Sequence, residues 1–193
     1  MNRRTLLRTA AATVVVTACG SPAATPGGTA TKSPSPSPTP SSAAATRATV
    51  ELAKGGTFTF TLRPDKAPKT VANFTRKSRA GDYDGTTFHR VVAGFVAQGG
   101  DPLSRTLPAG DPRLGSGGGQ QETELSDVPF DKGAVGIARG PDIKISNDSQ
   151  FYVCLDAAPH LNGQYTNFGQ IATGMDVVLG IKIGDKIKTI KME

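Results

Sequence analysis

Tryptophan is absent from this 193-residue chain, aromatic residues make up 6% of it, and it has two cysteines and two histidines. Cys19 and Cys154 cannot build the disulfide framework of a small stapled domain. His89 and His160 lack companion ligands at metal spacing, so no metal site and no cofactor are expected. Acidic residues are missing before position 48, where Arg3, Arg4, Arg8, Lys32 and Arg47 all lie. The net charge is +6, and removing those five leaves +1 on the remainder. A nearly neutral domain without a basic stripe excludes nucleic acid as the main partner. Gly115 to Gly119 is glycine-rich but lacks the Lys-Ser/Thr of a phosphate loop and the third glycine of a dinucleotide fingerprint. Nor does any Ser, His and Asp grouping suggest a nucleophile.

The amino terminus carries an address. Arg3, Arg4 and Arg8 precede the apolar run from Thr9 to Ala18, whose length is about half of what a membrane-spanning helix needs. Residues 1–18 therefore read as a signal peptide. The run ends in Val16-Thr17-Ala18-Cys19-Gly20, which resembles the bacterial lipobox, in which cleavage leaves a lipid-bearing cysteine at the new terminus. An ordinary cleaved signal is the alternative. Asn2-Arg3-Arg4-Thr5-Leu6-Leu7 also resembles a twin-arginine signal, so both the general and the folded-cargo export routes stay open. Residues 19–47 follow as the lipidated cysteine and a linker of Pro, Ser, Thr, Ala and Gly with one Lys and one Arg, carrying Ser-Pro repeats from Ser33 to Pro38. Such a composition has nothing to bury and should stay disordered, reaching roughly 30 Å as a coil and roughly 90 Å as an extended polyproline helix. The expected molecule is extracytoplasmic and monomeric, with Cys19 joining a globular head to the lipid membrane.

Residues 48–193 should form that head, large enough for one core without staples. Two alternating stretches flank Lys54-Gly55-Gly56 as a hairpin, and a helix follows from Asp65 to Gly81 with Pro68 in its first turn. Strands are expected at 134–138, 151–155, 167–171 and 187–192, and a short helix at 175–179. Two helices among some eight short strands imply a closed antiparallel β-barrel with its ends plugged. Cys154, within Phe151 to Leu155, should be a small core residue. The stretch from Phe88 to Asp101 reads as a second hairpin turning at Ala93-Gly94. Simple alternation puts Phe88, Arg90 and Val92 on one of its faces and His89 and Val91 on the other. An arginine among hydrophobes needs a hydrogen-bond partner, and Gln98 is the candidate.

Several motifs occur in a telling order: Ala67-Pro68-Lys69-Thr70-Val71-Ala72-Asn73-Phe74, Tyr83-Asp84-Gly85-Thr86-Thr87-Phe88-His89-Arg90-Val91, Gly94-Phe95, Gln98-Gly99-Gly100-Asp101, Ser149-Gln150-Phe151-Tyr152-Val153, Leu161-Asn162-Gly163 and Phe168-Gly169. Together they make the segment from Val50 to Ile190 similar to the cyclophilins, the family of peptidyl-prolyl cis-trans isomerases. The resemblance implies an eight-stranded barrel with two capping helices, in agreement with the coarse reading. It assigns Arg90 as the catalytic residue, and Phe95, Val96, Gln98, Ala138, Arg139, Gln150, Phe151, His160, Leu161 and Tyr165 to a groove for proline-containing polypeptide segments. Strict alternation would not place both Phe95 and Val96 in one groove, so that pair rests on the resemblance alone. His160 stands where many members have tryptophan and Tyr165 where they have histidine. The first exchange should weaken cyclosporin binding. Pro102 to Leu114 and Pro141 to Asn147 look longer than the family norm and are expected near the groove. Two readings result: an isomerase acting on exported proteins, or a module that binds proline segments, or chaperones them, without turnover. Intact Arg90, Phe95 and Gln98 favour the first.

Overall fold

The computed structural model describes residues 46–193; the signal segment, Cys19 and the linker lie outside the described residues. The fold begins with a hairpin. Strands β1 (Arg47–Leu52) and β2 (Thr57–Leu62) alternate strictly, sending Ala48, Val50, Leu52, Phe58, Phe60 and Leu62 inward. Their outward threonines meet across the pair, Thr49 Oγ1 lying 3.0 Å from Thr59 Oγ1.

Helix α1 (Pro68–Arg79) buries Thr70, Val71, Phe74 and Ser78 and collects Arg76, Lys77 and Arg79 in its last turn. Proline at its start suits a position whose N–H has no partner. Ala67, at the N-cap, supplies no side-chain acceptor. Glu124, 55 residues along the chain from Lys69, does so instead. Its two oxygens accept from the backbone N–H groups of Lys69 at 3.0 Å and Thr70 at 2.7 Å. A carboxylate there also complements the positive end of the helix dipole.

The remaining elements are β3 (Phe88–Val92), β4 (Val96–Gly99), β5 (Gln120–Glu122), β6 (Ala134–Arg139), β7 (Ile145–Cys154), β8 (Asn167–Thr173), α2 (Met175–Leu179) and β9 (Ile187–Met192), with 3₁₀ turns at Pro102–Arg105 and Pro159–Leu161. Among the described residues there are nine strands in one antiparallel sheet, ordered β3-β4-β7-β6-β8-β2-β1-β9, with β5 pairing beside β7. The expected closed barrel is corrected here: the sheet is open and strongly curled, a half-barrel. Its end strands form no ladder with each other. The single bridge Thr87–Lys186 and flanking backbone bonds, such as Phe88 N–H to the Asp185 carbonyl at 2.9 Å, span the seam.

Inside the curl Phe60, Phe74, Phe151 and Phe168 pack with Tyr83 and Phe88 in tilted and edge-on pairs, with centroids 5.1–6.2 Å apart. Each such pair contributes about 0.5–1.5 kcal/mol beyond simple burial. A smaller apolar cluster of Val96, Phe130, Ala134, Tyr152, Cys154, Ala158 and Leu161 lies on the opposite face. Cys154 is fully buried and unpaired, and burial pushes its thiol up to about 12, so it is inert packing material.

Candidate active site

A cavity of about 240 Å³ opens over the smaller cluster. That is less than the ~300 Å³ at which drug-sized pockets begin, and it suits one or two amino-acid residues. Arg90 comes from β3, Val96 and Gln98 from β4, Ala138 and Arg139 from β6, and Leu161 from the 3₁₀ turn, while Phe95 and Tyr165 come from the loops beside them.

The pair that alternation forbids is explained by where β4 begins. Val96 and Gln98, two residues apart, share a face. Phe95 precedes the strand, in a turn closed by its N–H on the Val92 carbonyl at 3.0 Å. Gly94 takes φ 69° in that turn, a conformation open to glycine at little cost.

Simple alternation fails in β3 as well. Phe88 pairs with Gly99 but Arg90 with Gln98, which makes His89 the extra residue of a bulge. Phe88 and Val91, three residues apart, therefore both pack on the main core, while Arg90 and Val92 are exposed. The shared face expected for Phe88, Arg90 and Val92 does not exist. The bulge turns Arg90 out to the groove and keeps Phe88 inside.

Arg90 does find Gln98: its Nη1 donates to Gln98 Oε1 at a long 3.5 Å, and its guanidinium carbon sits 5.8 Å from the Phe95 ring centre. Arg139 lies 4.4 Å over the Tyr165 ring and is held there by its Nε, which donates to the Gln164 carbonyl at 2.8 Å. His160 is exposed and tilts against Phe95 with ring centres 5.1 Å apart, making the rim rather than the floor. Gln150 is buried behind Gln98, its Oε1 accepting from Gln98 Nε2 at 3.0 Å.

Phe151 is a correction. It is fully buried in the main aromatic core, and the groove is floored by its neighbour Tyr152. Side chains alternate along β7, so only one of the two can face the groove. Register decides which: Tyr152 stands opposite Gln98 on one side and Gly136 on the other. A β-carbon at Gly136 would fall 2.4 Å from Tyr152 Cζ, so the missing side chain is the space in which the phenol lies. Burial raises the Tyr152 hydroxyl well above its ordinary range, so it stays neutral. From Ser149 to Cys154 both faces of β7 are buried, and apolar pattern carries no sign of which one floors the groove.

Of the two long loops, one reaches the site. Pro141, Asp142, Ile145, Ser146 and Asn147 line a second cavity of about 380 Å³ with the glycine-rich stretch. It adjoins the groove, since Arg139 borders one and Gly140 the other. The other loop, at Ser104 to Ala109, lines a depression with Thr87, Gly184 and Lys186 and shares no residue with the groove.

His89 does not line the groove. Both ring nitrogens are buried, and burial lowers its pKa below the ordinary value; Asp101 and the Thr87 carbonyl oppose that, and Arg90 adds to it. The unfolded chain then binds a proton near pH 6.5 that the folded one refuses, so stability is present above that pH and falls as pH drops toward the lower folded value. Urea denaturation from pH 7.5 to pH 5 should show this decline, and His89→Gln should flatten it. An unchanged slope in the variant would assign the decline elsewhere.

Residues 47–192 match the family model described as cyclophilin type peptidyl-prolyl cis-trans isomerase/CLD. A probable peptidyl-prolyl cis-trans isomerase of Brucella suis is 43% identical over 138 residues, covering 69% of this chain and 70% of its own. Peptidyl-prolyl cis-trans isomerase B of Bacillus subtilis is 37% identical over 146 residues, covering 74% and 94%. The crystal structure of a cyclophilin type peptidyl-prolyl cis-trans isomerase of Cryptosporidium parvum superposes with a TM-score of 0.66 at 26% identity, covering 77% of this chain and 98% of that one. A curled sheet bearing an arginine-rimmed groove, and relatives of this kind over nearly all of residues 47–192, place the chain in the family of cyclophilin-type peptidyl-prolyl cis-trans isomerases.

Proposed function

We propose that the groove lined by Phe95, Val96, Tyr152 and Leu161 seats the proline ring of an X-Pro segment and that Arg90 catalyses the rotation. Rotating a peptide bond costs about 18–20 kcal/mol because resonance is lost, and X-Pro bonds populate both isomers. In the twisted state the prolyl nitrogen becomes pyramidal and regains a lone pair. A guanidinium held beside it then donates a hydrogen bond that the planar ground state cannot accept, so the twisted state is bound more tightly. Gln98 and the backbone near Arg139 hold the substrate main chain. No bond is broken. An acceleration of about 10⁵ needs roughly 7 kcal/mol from seating, desolvation and this bond together.

What carries the reading is the placing of Arg90: exposed at the groove's edge, with one long bond to Gln98 and its other donors free of partners among the described residues. A related Cryptosporidium structure was obtained in the presence of the dipeptide Ala-Pro. The test is an isomerase assay on residues 46–193, in which catalysed interconversion of a short proline peptide is expected and binding without acceleration would overturn the reading.

The cellular setting belongs to the same proposal. Lipid on Cys19 anchors the head to the outer face of a bacterial membrane, where newly exported proteins are its substrates. The support is the sequence from Arg3 to Gly20. In the bacterial host Cys19→Ser should move the protein from the membrane to the soluble fraction, and unchanged fractionation would sink this part alone.

A further inference from the structure

We propose that Asp101 is a positioning residue for Arg90, acting through the glycine loop at 115–117 and two glutamine amides. The inference rests on the reading of Arg90 as the catalytic residue. Asp101 is fully buried, and each of its oxygens is committed. Oδ1 accepts from Leu103 N–H at 2.8 Å, and Oδ2 accepts from Gly115 N–H at 2.5 Å and Gly117 N–H at 3.4 Å. With the loop's N–H groups drawn back to this carboxylate, the same two residues present their carbonyls to the other side. Gln150 Nε2 donates to the Gly115 oxygen at 3.0 Å and to the Gly117 oxygen at 2.7 Å. Asn147 steadies the second of these carbonyls, its Nδ2 donating to it at 3.0 Å while its Oδ1 accepts from Gln150 N–H at 2.7 Å.

The consequence is directional. An amide side chain has one accepting end and one donating end. Two carbonyls fix the NH₂ of Gln150 on the loop side, so its oxygen must face Gln98 and receive the 3.0 Å bond from Gln98 Nε2. Gln98 is then left with its oxygen toward Arg90. Reversing Gln150 would set its oxygen against two carbonyls, and reversing Gln98 with it would set an NH₂ against a guanidinium. Neither arrangement has a bond to offer. The glycine loop thus determines that Arg90 meets an acceptor, and the buried anion behind the loop determines where the loop's carbonyls stand. Gly117 permits the close approach, since a β-carbon there would lie 2.0 Å from Asp101 Oδ1.

Asp101→Asn tests this with little change of size. Its oxygen can still serve Leu103, but its NH₂ then confronts the N–H groups of Gly115 and Gly117. Hydrogen exchange at those two amides should accelerate, and the side-chain NH₂ signals of Gln98 and Gln150 should shift. Exchange NMR on a saturating Ala-Pro peptide should show on-enzyme interconversion slowed about tenfold with Kd changed less than about threefold, because the ring pocket is untouched. A residue that only holds the fold together would lower the melting temperature and leave the on-enzyme rate of folded protein alone. Released loop amides with a rate within about twofold of wild type would therefore overturn the proposal. Asn147→Asp, which opposes the same Gly117 carbonyl from the other side, should slow the reaction in the same sense and decides the matter if Asp101→Asn does not fold. Arg90→Ala run in parallel separates the two readings: if it keeps the full rate, the reading of Arg90 fails; if it loses the rate while both loop variants keep it, only the inference fails.

Discussion

Arg90→Lys is expected to lower turnover of an X-Pro peptide about a hundredfold while Kd changes little. The expectation follows from what the guanidinium does in place. It donates through Nη1 to Gln98 Oε1 and rests 5.8 Å from the Phe95 ring centre, which leaves its other N–H donors open to the prolyl nitrogen in the proposed complex. Lysine keeps the charge but offers a compact ammonium with no planar fork. A hydrogen bond from a charged donor contributes about 1.5–3 kcal/mol, or roughly ten- to more than a hundredfold in rate when it is made only in the twisted state. Affinity should hold because the ring pocket is formed by Phe95, Leu161 and Tyr152. Exchange NMR measures both quantities on one sample. Loss of affinity with an unchanged on-enzyme rate would make Arg90 a binding residue and nothing more.

Gly136→Ala should damage the groove from beneath. The added carbon would sit 2.4 Å from Tyr152 Cζ, 2.5 Å from its hydroxyl oxygen and 2.7 Å from Phe130 Cε1. None of these atoms has an easy retreat. Tyr152 is stacked on Phe130 at 5.9 Å and edge-on to Tyr165 at 6.1 Å, so relief comes by lifting the phenol into the cavity that proline should occupy. Overpacking of this kind costs about 1–3 kcal/mol of stability. Peptide affinity should fall about tenfold or more with it. Adding Tyr152→Leu, which removes Cζ and the hydroxyl, should recover part of the stability. Wild-type melting and wild-type affinity in the single variant would show that the floor of the groove yields elsewhere.

Much of this molecule is legible from local pattern. The hairpin of β1 and β2 and the helix behind Pro68 follow from alternation, turn chemistry and helical spacing. Arg90, Phe95 and Gln98, to which linked motifs point, stand together around one groove. What pattern could not supply depended on partners distant in sequence. His89 as a bulge residue is defined by which residues of β4 stand opposite, and no run of β3 alone reveals it. Phe151 and Tyr152 are both aromatic in a strand buried on both faces, so choosing between them required the register against Gln98 and Gly136. Glu124 as the cap of α1 and the carbonyls of Gly115 and Gly117 as anchors of Gln150 are contacts made across loops. Strand number suggests a closed barrel, yet closure depends on whether the first and last strands of the sheet reach each other, and only one bridge, just before each of them, joins the two edges.

The sheet order bears on how the domain comes to fold. β1 lies between β2, its neighbour in sequence, and β9, with Ala48 opposite Met192 and Val50 opposite Ile190. That second pairing closes a loop of some 140 residues, and non-local pairings of this kind form late and slowly because the chain entropy is spent before the contacts return it. Any process that delivers the chain from its amino end, whether synthesis or threading through a membrane, holds one edge of β1 unpaired until Ile187–Met192 arrives. During that interval the half-built sheet is exposed to edge-to-edge association with other unfinished chains.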